Sequence, residues 1–263
     1  MTDLAPPPVL LRSAEAGVLT LTLNRPQARN ALSMALMAAL IAALREAGAD
    51  PSVHVVVLAA AGAAFCAGHD LKELRADPSR EAYQATFARC AELMTAIVRL
   101  PKPVIARVHG VATAAGCQLV ASCDLAVAAD TAMFGTTGVN LGLFCSTPMV
   151  ALSRAVGRKP AMEMLLTGEM VDAEEAQRIG LINRAVAPEE LEATVQGFAA
   201  TIAAKSPLVL AIGKEAFYRQ AEMGLDQAYA YTAEVMTANM LAQDAAEGID
   251  AFLEKRPPAW KGC

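Results

Sequence analysis

Residues 17–23 read Gly-Val-Leu-Thr-Leu-Thr-Leu, and this alternation of threonine with aliphatic side chains predicts a half-buried strand. Residues 33–47 are mostly Ala, Leu and Met, strong helix formers, with Ser33 placed as an N-cap and Gly48 near the end of the helix. Residues 53–58, rich in valine after Asp50-Pro51, predict a strand buried on both faces. A helix over residues 80–100 stops at Pro101-Lys102-Pro103, because proline removes a donor and restricts the residue before it. A strand is expected at 104–108, a Gly/Ala-rich turn at 109–115, a helix at 115–123 and a short strand at 125–128. This recurrence of strand and helix implies an α/β chain with largely parallel pairing. From Ser153 onward the pattern is mostly helical, over 160–166, 172–179, 188–204 and 207–241, and Asp172-Ala-Glu-Glu175 has the form of a capping box. The C-terminal third reads as an α-rich extension.

Composition narrows the function classes. The 263 residues are 55% hydrophobic and 19% charged, enough apolar surface to offset the entropy of ordering, so disorder is excluded except at the ends. With a net charge of −5 there is no basic footprint for a phosphate backbone, and nucleic acid is not an expected partner. The longest apolar stretch, 55–65, is interrupted by Gly62 and falls short of the roughly 18 residues a span needs, so no membrane partner is expected either. Six cysteines without CxxC spacing point to neither a metal site nor a disulfide framework. The opening Met-Thr-Asp-Leu-Ala-Pro-Pro-Pro lacks a basic segment followed by an apolar one, and a cytoplasmic location is expected. No G-x-G-x-x-G follows a strand, so a dinucleotide site is not supported.

Two segments could carry chemistry. Phe65-Cys-Ala-Gly-His-Asp-Leu-Lys72 follows a buried strand, and Val108-His-Gly-Val-Ala-Thr-Ala-Ala-Gly-Cys-Gln118 lies between a strand and a helix. Backbone N–H groups exposed in such a turn or at a helix N-terminus favour negative charge and can stabilise an oxyanion. An ordinary βα loop and tight helix packing are the plainer readings of the same residues.

These segments, with Asn24-Arg-Pro-Gln-Ala-Arg-Asn-Ala-Leu32, Ser122-Cys-Asp124, Asn140-Leu-Gly142, Leu166-Thr-Gly168 and Phe252-Leu-Glu-Lys-Arg256, stand in the order of a known family. The chain resembles the enoyl-CoA hydratase/isomerase, or crotonase, family from about Val18 to Trp260, and most closely its enoyl-CoA hydratase domain-containing subgroup. The resemblance implies a spiral of ββα units over residues 1–204 carrying an acyl-CoA site. It also implies a helical region, residues 205–263, for oligomerisation and coenzyme A contact, in a homotrimer or a dimer of trimers. The substrate would be an acyl-CoA thioester, with no permanently bound cofactor and coenzyme A arriving as part of the substrate. By position, the backbone amides of His69 and Ala115 would form the oxyanion hole, and Gln27, Ala28, Ala67, Gly68, Asp70, Leu71 and Lys72 would line the nucleotide and pantetheine path. Gly116, Gly138 and Leu141 complete the substrate-binding set, and Phe252 and Lys255 match a pair that reaches a bound coenzyme, sometimes that of a neighbouring subunit.

One departure bears on mechanism. Hydratases of this family carry two glutamates, and the matching positions hold Gln118 and Gly138. An amide can hold a water or a carbonyl by hydrogen bonds but cannot act as a base, so Gln118 is a candidate catalytic residue and two-glutamate hydration is disfavoured. The open alternatives are a decarboxylase resembling the methylmalonyl-CoA branch, which has tyrosine where this chain has Cys145, an acyl-CoA hydrolase, and a non-catalytic thioester binder. The His69 imidazole titrates near neutrality and could serve as acid or base, its plainer role being to present its amide. Cys145 reads as a packing residue, and Asp124 as a structural hydrogen-bonding carboxylate.

Overall fold

Two antiparallel strands, β1 (Leu10–Glu15) and β2 (Val18–Leu23), open the computed structural model, which describes residues 7–263. The signal-peptide reading rests mainly on residues 1–6 and lies outside the described residues. Strand β2 then pairs in parallel with β3 (Val55–Ala60), followed in the same sheet by β5 (Val104–Val108), β7 (Leu125–Ala129) and β10 (Arg184–Val186). The short strands β4 (Ala64–Cys66), β6 (Val111–Thr113), β8 (Met133–Gly135) and β9 (Val171–Asp172) form a second sheet in that order. Strand pairs therefore send one member to each sheet before the chain leaves as a helix, which is the ββα spiral expected of an α/β chain. The turn expected at 109–115 is corrected: it contains β6, three residues too short to carry a period.

The central strands are buried on both faces because two different layers cover them. Val56 and Leu58 of β3 and Val104, Ala106 and Val108 of β5 belong to one apolar cluster, while Val55, Val57 and Ile105 belong to a second. The first cluster is roofed by α1 (Met34–Ala49) and α3 (Arg80–Val98), the second by α8 (Leu191–Ala203) through Leu191, Val195 and Ala199. A fully buried aliphatic side chain contributes about 1.5–3 kcal/mol, so valine on both faces is what the site requires. Helix α1 starts as expected, with the Ser33 hydroxyl accepting from Leu36 N. Further helices are α2 (Leu71–Ala76), α4 (Ala115–Ser122), α5 (Pro148–Ala155), α6 (Arg158–Thr167) and α7 (Ala173–Arg178).

Beyond α8 the chain turns away, and neither cluster draws a residue from beyond Ala203. The single helix expected over 207–241 is two, α9 (Pro207–Gln220) and α10 (Leu225–Met240), broken where Gly224 takes an extended conformation and becomes the N-cap of α10. A final helix, α11 (Gln243–Glu254), follows. Asp244 holds this region together from a buried position, accepting from Ser206 Oγ at 2.5 Å and from the backbone amides of Lys261 and Gly262 at 2.7 and 3.0 Å.

Polar groups fasten α9 to the spiral. Lys214 Nζ donates to Asp124 Oδ2 at 2.6 Å and to the carbonyls of Ile97 and Lys102 at 3.0 Å each. The same carboxylate accepts from Val104 N at 2.7 Å and from the Tyr218 hydroxyl at 2.9 Å. Burial pushes the Lys214 ammonium down from its ordinary value, and the Asp124 charge opposes this. Removing one partner of such a pair leaves an uncompensated charge in a poorly hydrated place. Lys214→Met is expected to cost about 3–5 kcal/mol, read as a lowered urea midpoint, and Lys214→Met with Asp124→Asn to recover part of that loss.

Candidate functional site

The loops after β4 and β6 are pressed together. Gly68 has φ +96°, and a Cβ there would stand 3.1 Å from Ala114 Cβ and 3.5 Å from Ala115 N. A Cβ on Gly116 would run into the carbonyl oxygen of Cys66, so only glycine lets the start of α4 lie on the end of β4. His69 forms an isolated parallel bridge with Leu32, in which Leu32 N donates to Gly68 O at 2.8 Å and Asp70 N to Leu32 O at 3.3 Å. These bonds flank His69, so its own N–H faces the opposite side and meets no protein acceptor among the described residues. Ala115 is the first residue of α4, where the N–H lacks an intrahelical partner; Ala114 N is taken by Gly135 O at 2.8 Å and Ala115 N is left open. Two free amides of adjacent main chain thus lie together, one at a helix N-terminus.

Holding them carries strain. Ala114 sits at φ +49°, ψ −116°, a conformation that a residue with a Cβ adopts rarely, at a cost of about 1–3 kcal/mol.

A third segment braces the first loop. Asn30 is fully buried: its amide donates to Ala61 O and Ala64 O at 2.8 Å each, and its carbonyl accepts from Arg25 N at 2.8 Å. Ala67 N donates to Arg29 O at 3.0 Å, and Arg25 reaches Ala31 O at 2.5 Å and Asp70 Oδ2 at 2.8 Å. Asp70 also caps α2 through Lys72 N and Glu73 N. Burial pushes the Asp70 carboxyl up, but Arg25 and the capping amides outweigh it and hold the group below the usual carboxylate value. Asn30 and Arg25 went unrecognised as site residues. Asn30 adopts φ +54°, a conformation asparagine tolerates better than most residues, but neither this nor its burial is written in the local sequence.

The structure brings Ala67, Gly68, His69, Asp70, Ala115 and Gly116 together, and Gln27 and Ala28 lie in the adjoining turn Pro26–Ala28. Leu71 and Lys72 are exposed on the first turn of α2. Gly138 is buried in the turn Thr137–Leu141, where a Cβ would come 2.5 Å from Leu143 O and 2.8 Å from Cys145 Sγ; Leu141, at the end of that turn, is exposed. Phe252 on the last turn of α11 and Lys255 at its C-cap stand apart, exposed, at the far end of the C-terminal helices. Gln118 is buried on α4, its side-chain carbonyl accepting from Cys90 Sγ at 3.6 Å, and it borders a cavity of about 1170 Å³ between α3, α4, α5 and α9. Burial pushes the thiols of Cys66, Cys90 and Cys117 up to about 12 and raises Cys145 as well, leaving none poised as a thiolate.

Set beside known proteins, this fold and these loops find close matches. The description enoyl-CoA hydratase/isomerase matches residues 13–263. The chain belongs to that family. A crystal structure of an enoyl-CoA hydratase from Mycobacterium smegmatis superposes with a TM-score of 0.94 at 59% identity, covering 96% of this chain and 99% of that one. The human enoyl-CoA hydratase domain-containing protein 3 gives 0.93 at 44%, covering 96% and 100%. The Xenopus laevis protein of the same name is 47% identical over 253 residues, 96% of this chain and 86% of its own length. The α/β spiral with C-terminal helices is thus the crotonase fold, and the subgroup matches the one the motifs resemble. One expectation is corrected: vertebrate relatives in this family at 44–47% identity are named mitochondrial, which overturns the cytoplasmic reading.

Two substitutions test the family site's backbone. Gly116→Ala forces α4 off β4 and is expected to lower stability by about 3 kcal/mol. Ala114→Gly relieves the strain while loosening the unfolded chain, with a net gain of about 1 kcal/mol. Both are read from urea unfolding, and a stabilising Gly116→Ala would show the close approach to be slack.

Proposed function

We propose that this protein is an acyl-CoA thioester enzyme that stabilises an enolate between the amides of His69 and Ala115, without two-glutamate hydration. The observation that carries this is the pair of unshared N–H groups, that of His69 after β4 and that of Ala115 at the start of α4, on loops that Gly68 and Gly116 let lie against each other. Preorganised donors of this kind act on charge that develops during reaction, each worth roughly 3 kcal/mol. The thioester carbonyl becomes more basic as its α-carbon gains electron density, so the hole binds the enolate more strongly than the ground state. Gln27 and Ala28 in the bracing turn, and Ala67, Asp70, Leu71 and Lys72 in the loop after β4 and the start of α2, adjoin this point, in keeping with a path for pantetheine and nucleotide.

The acid–base side differs from a paired-carboxylate hydratase. Asp70 is the one acidic side chain in the two loops, and it is engaged by Arg25 and the α2 cap. Gln118 orients a carbonyl or water by hydrogen bonding, and at position 138 the space beyond the α-carbon is already taken by Leu143 O and Cys145 Sγ. The relatives named enoyl-CoA hydratase therefore supply the family and the thioester class, and the residues here argue for enolate chemistry of another kind, decarboxylation or proton exchange.

Residues 205–263 form, in this reading, an oligomerisation arm on a spiral spanning residues 1–204. Leu225, Tyr229, Met236, Leu241, Phe252 and Leu253 are each more than half exposed on α10, α11 and their junction, an apolar surface of the sort that marks an interface. Lys255 and Phe252 would then meet coenzyme A across a trimer contact.

A mass-spectrometric time course with crotonyl-CoA, methylmalonyl-CoA and saturated acyl-CoAs tests the reaction. Loss of carbon dioxide or exchange of an α-proton without added water is expected, and enzyme-dependent hydration of crotonyl-CoA would sink the proposal. In addition, Gln118→Glu with Gly138→Glu is expected to yield no hydratase, because the second side chain has nowhere to go; a gain of hydration would show that the 138–145 turn yields.

A further inference from the structure

Three histidines are present, and two have plain structural duties. His54 Nδ1 lies 3.1 Å from Ala203 O, and His109 Nε2 lies 2.7 Å from Gly62 O. His69 differs. Both of its ring nitrogens are buried and neither makes a hydrogen bond of good geometry among the described residues, the Leu32 backbone being near enough only to act weakly on the ring, although burying such a group unpaired costs about 1–3 kcal/mol. The ring is fixed by an edge-to-face contact with Phe87 at 5.6 Å. One turn along the same face of α3, Cys90 holds the Gln118 carbonyl, so the imidazole and the amide occupy neighbouring places against one helix. The backbone of this same residue carries one of the two free amides.

We propose that the His69 imidazole is the catalytic base that moves the α-proton of the bound thioester. The inference rests on the oxyanion-hole reading above and goes beyond it by naming the group that exchanges the proton. The unprotonated ring nitrogen takes the proton from the α-carbon. The C–H electron pair becomes the α-carbon to carbonyl-carbon π bond, and the carbonyl π pair moves onto oxygen, where the amides of His69 and Ala115 receive it. The imidazolium then returns a proton to the α-carbon and the cycle closes without a co-reactant. One residue thus holds the oxygen by its main chain and reaches the adjacent carbon by its side chain. Burial keeps the free imidazole below its ordinary pKa, so it is neutral and able to accept a proton at pH 7, with the Leu32 backbone opposing this only in part. The developing enolate supplies the counter-charge that makes the imidazolium tolerable.

The test follows deuterium entry from D2O into the α-position of butyryl-CoA by mass spectrometry, with binding of the same thioester measured by calorimetry. Wild-type protein is expected to exchange, His69→Gln to lose at least 100-fold with the thioester still bound, and added imidazole to restore part of the rate in His69→Ala. Exchange by wild type should fall as pH drops through a value below the ordinary imidazole range, while His69→Gln shows no such limb. Circular dichroism checks that both variants fold. Unchanged exchange in both variants, or wild-type binding with no exchange, overturns the assignment of His69 and leaves the thioester site standing. Failure of wild type to bind the thioester overturns the site itself.

Discussion

Everything proposed for this site depends on two stretches of main chain lying closer than side chains allow. Gly68 against Ala114, and Gly116 against Cys66, let the end of one strand and the start of a helix approach until only backbone separates them. That approach brings the main chain of His69 and Ala115 side by side, and the parallel bridge at Leu32 and the helix start at Ala115 leave each N–H without a protein acceptor among the described residues. The spiral makes it possible, because β4 and β6 are neighbours in the minor sheet while the strands that precede them are neighbours in the major one. The strain at Ala114 is a local cost of this geometry, and the buried valine layers supply the stability that offsets it.

A second consequence concerns where charge is allowed. The spiral side of the site holds one carboxylate, and it is committed to Arg25 and a helix cap. The polar atoms left without partners include both His69 nitrogens and Thr136 Oγ1, the latter one residue beyond the carbonyl that secures Ala114. Among the described residues three side chains carry such atoms: His69 and Thr136 lie beside the loops with the free amides, and the third, Asn239, sits apart on α10.

Much of the architecture was legible because long elements carry long patterns. The alternating Thr/Leu strand at β2, the valine run of β3, and the Ser33-capped helix each announce themselves over six or more residues. The strands of the minor sheet do not: β4, β6 and β8 have three residues each, and their pairing is set by the spiral rather than by local preference. The break between α9 and α10 was hidden because Gly224 is a lone glycine between residues that mostly favour helix, and β1 because its exposed residues show no period. At the candidate site, the motif order singled out the loops of His69 and Ala115, which the fold sets side by side. It could not show Asn30 bracing the loop, since burial of an asparagine is a tertiary fact, nor that the space at Gly138 is filled by a carbonyl five residues later.

The junction at Asp124 has a consequence for how such sequences drift. Its carboxylate ties the start of β5, and through Lys214 the end of α3, to the arm, so either residue changed alone leaves an orphaned charge. A penalty of about 3–5 kcal/mol is a large part of the 5–15 kcal/mol by which a domain is ordinarily stable. Lineages descending from this chain therefore face a valley at this pair. Asp124 and Lys214 should be inherited as a unit, retained together or exchanged together, while the exposed ion pairs of the surface wander freely.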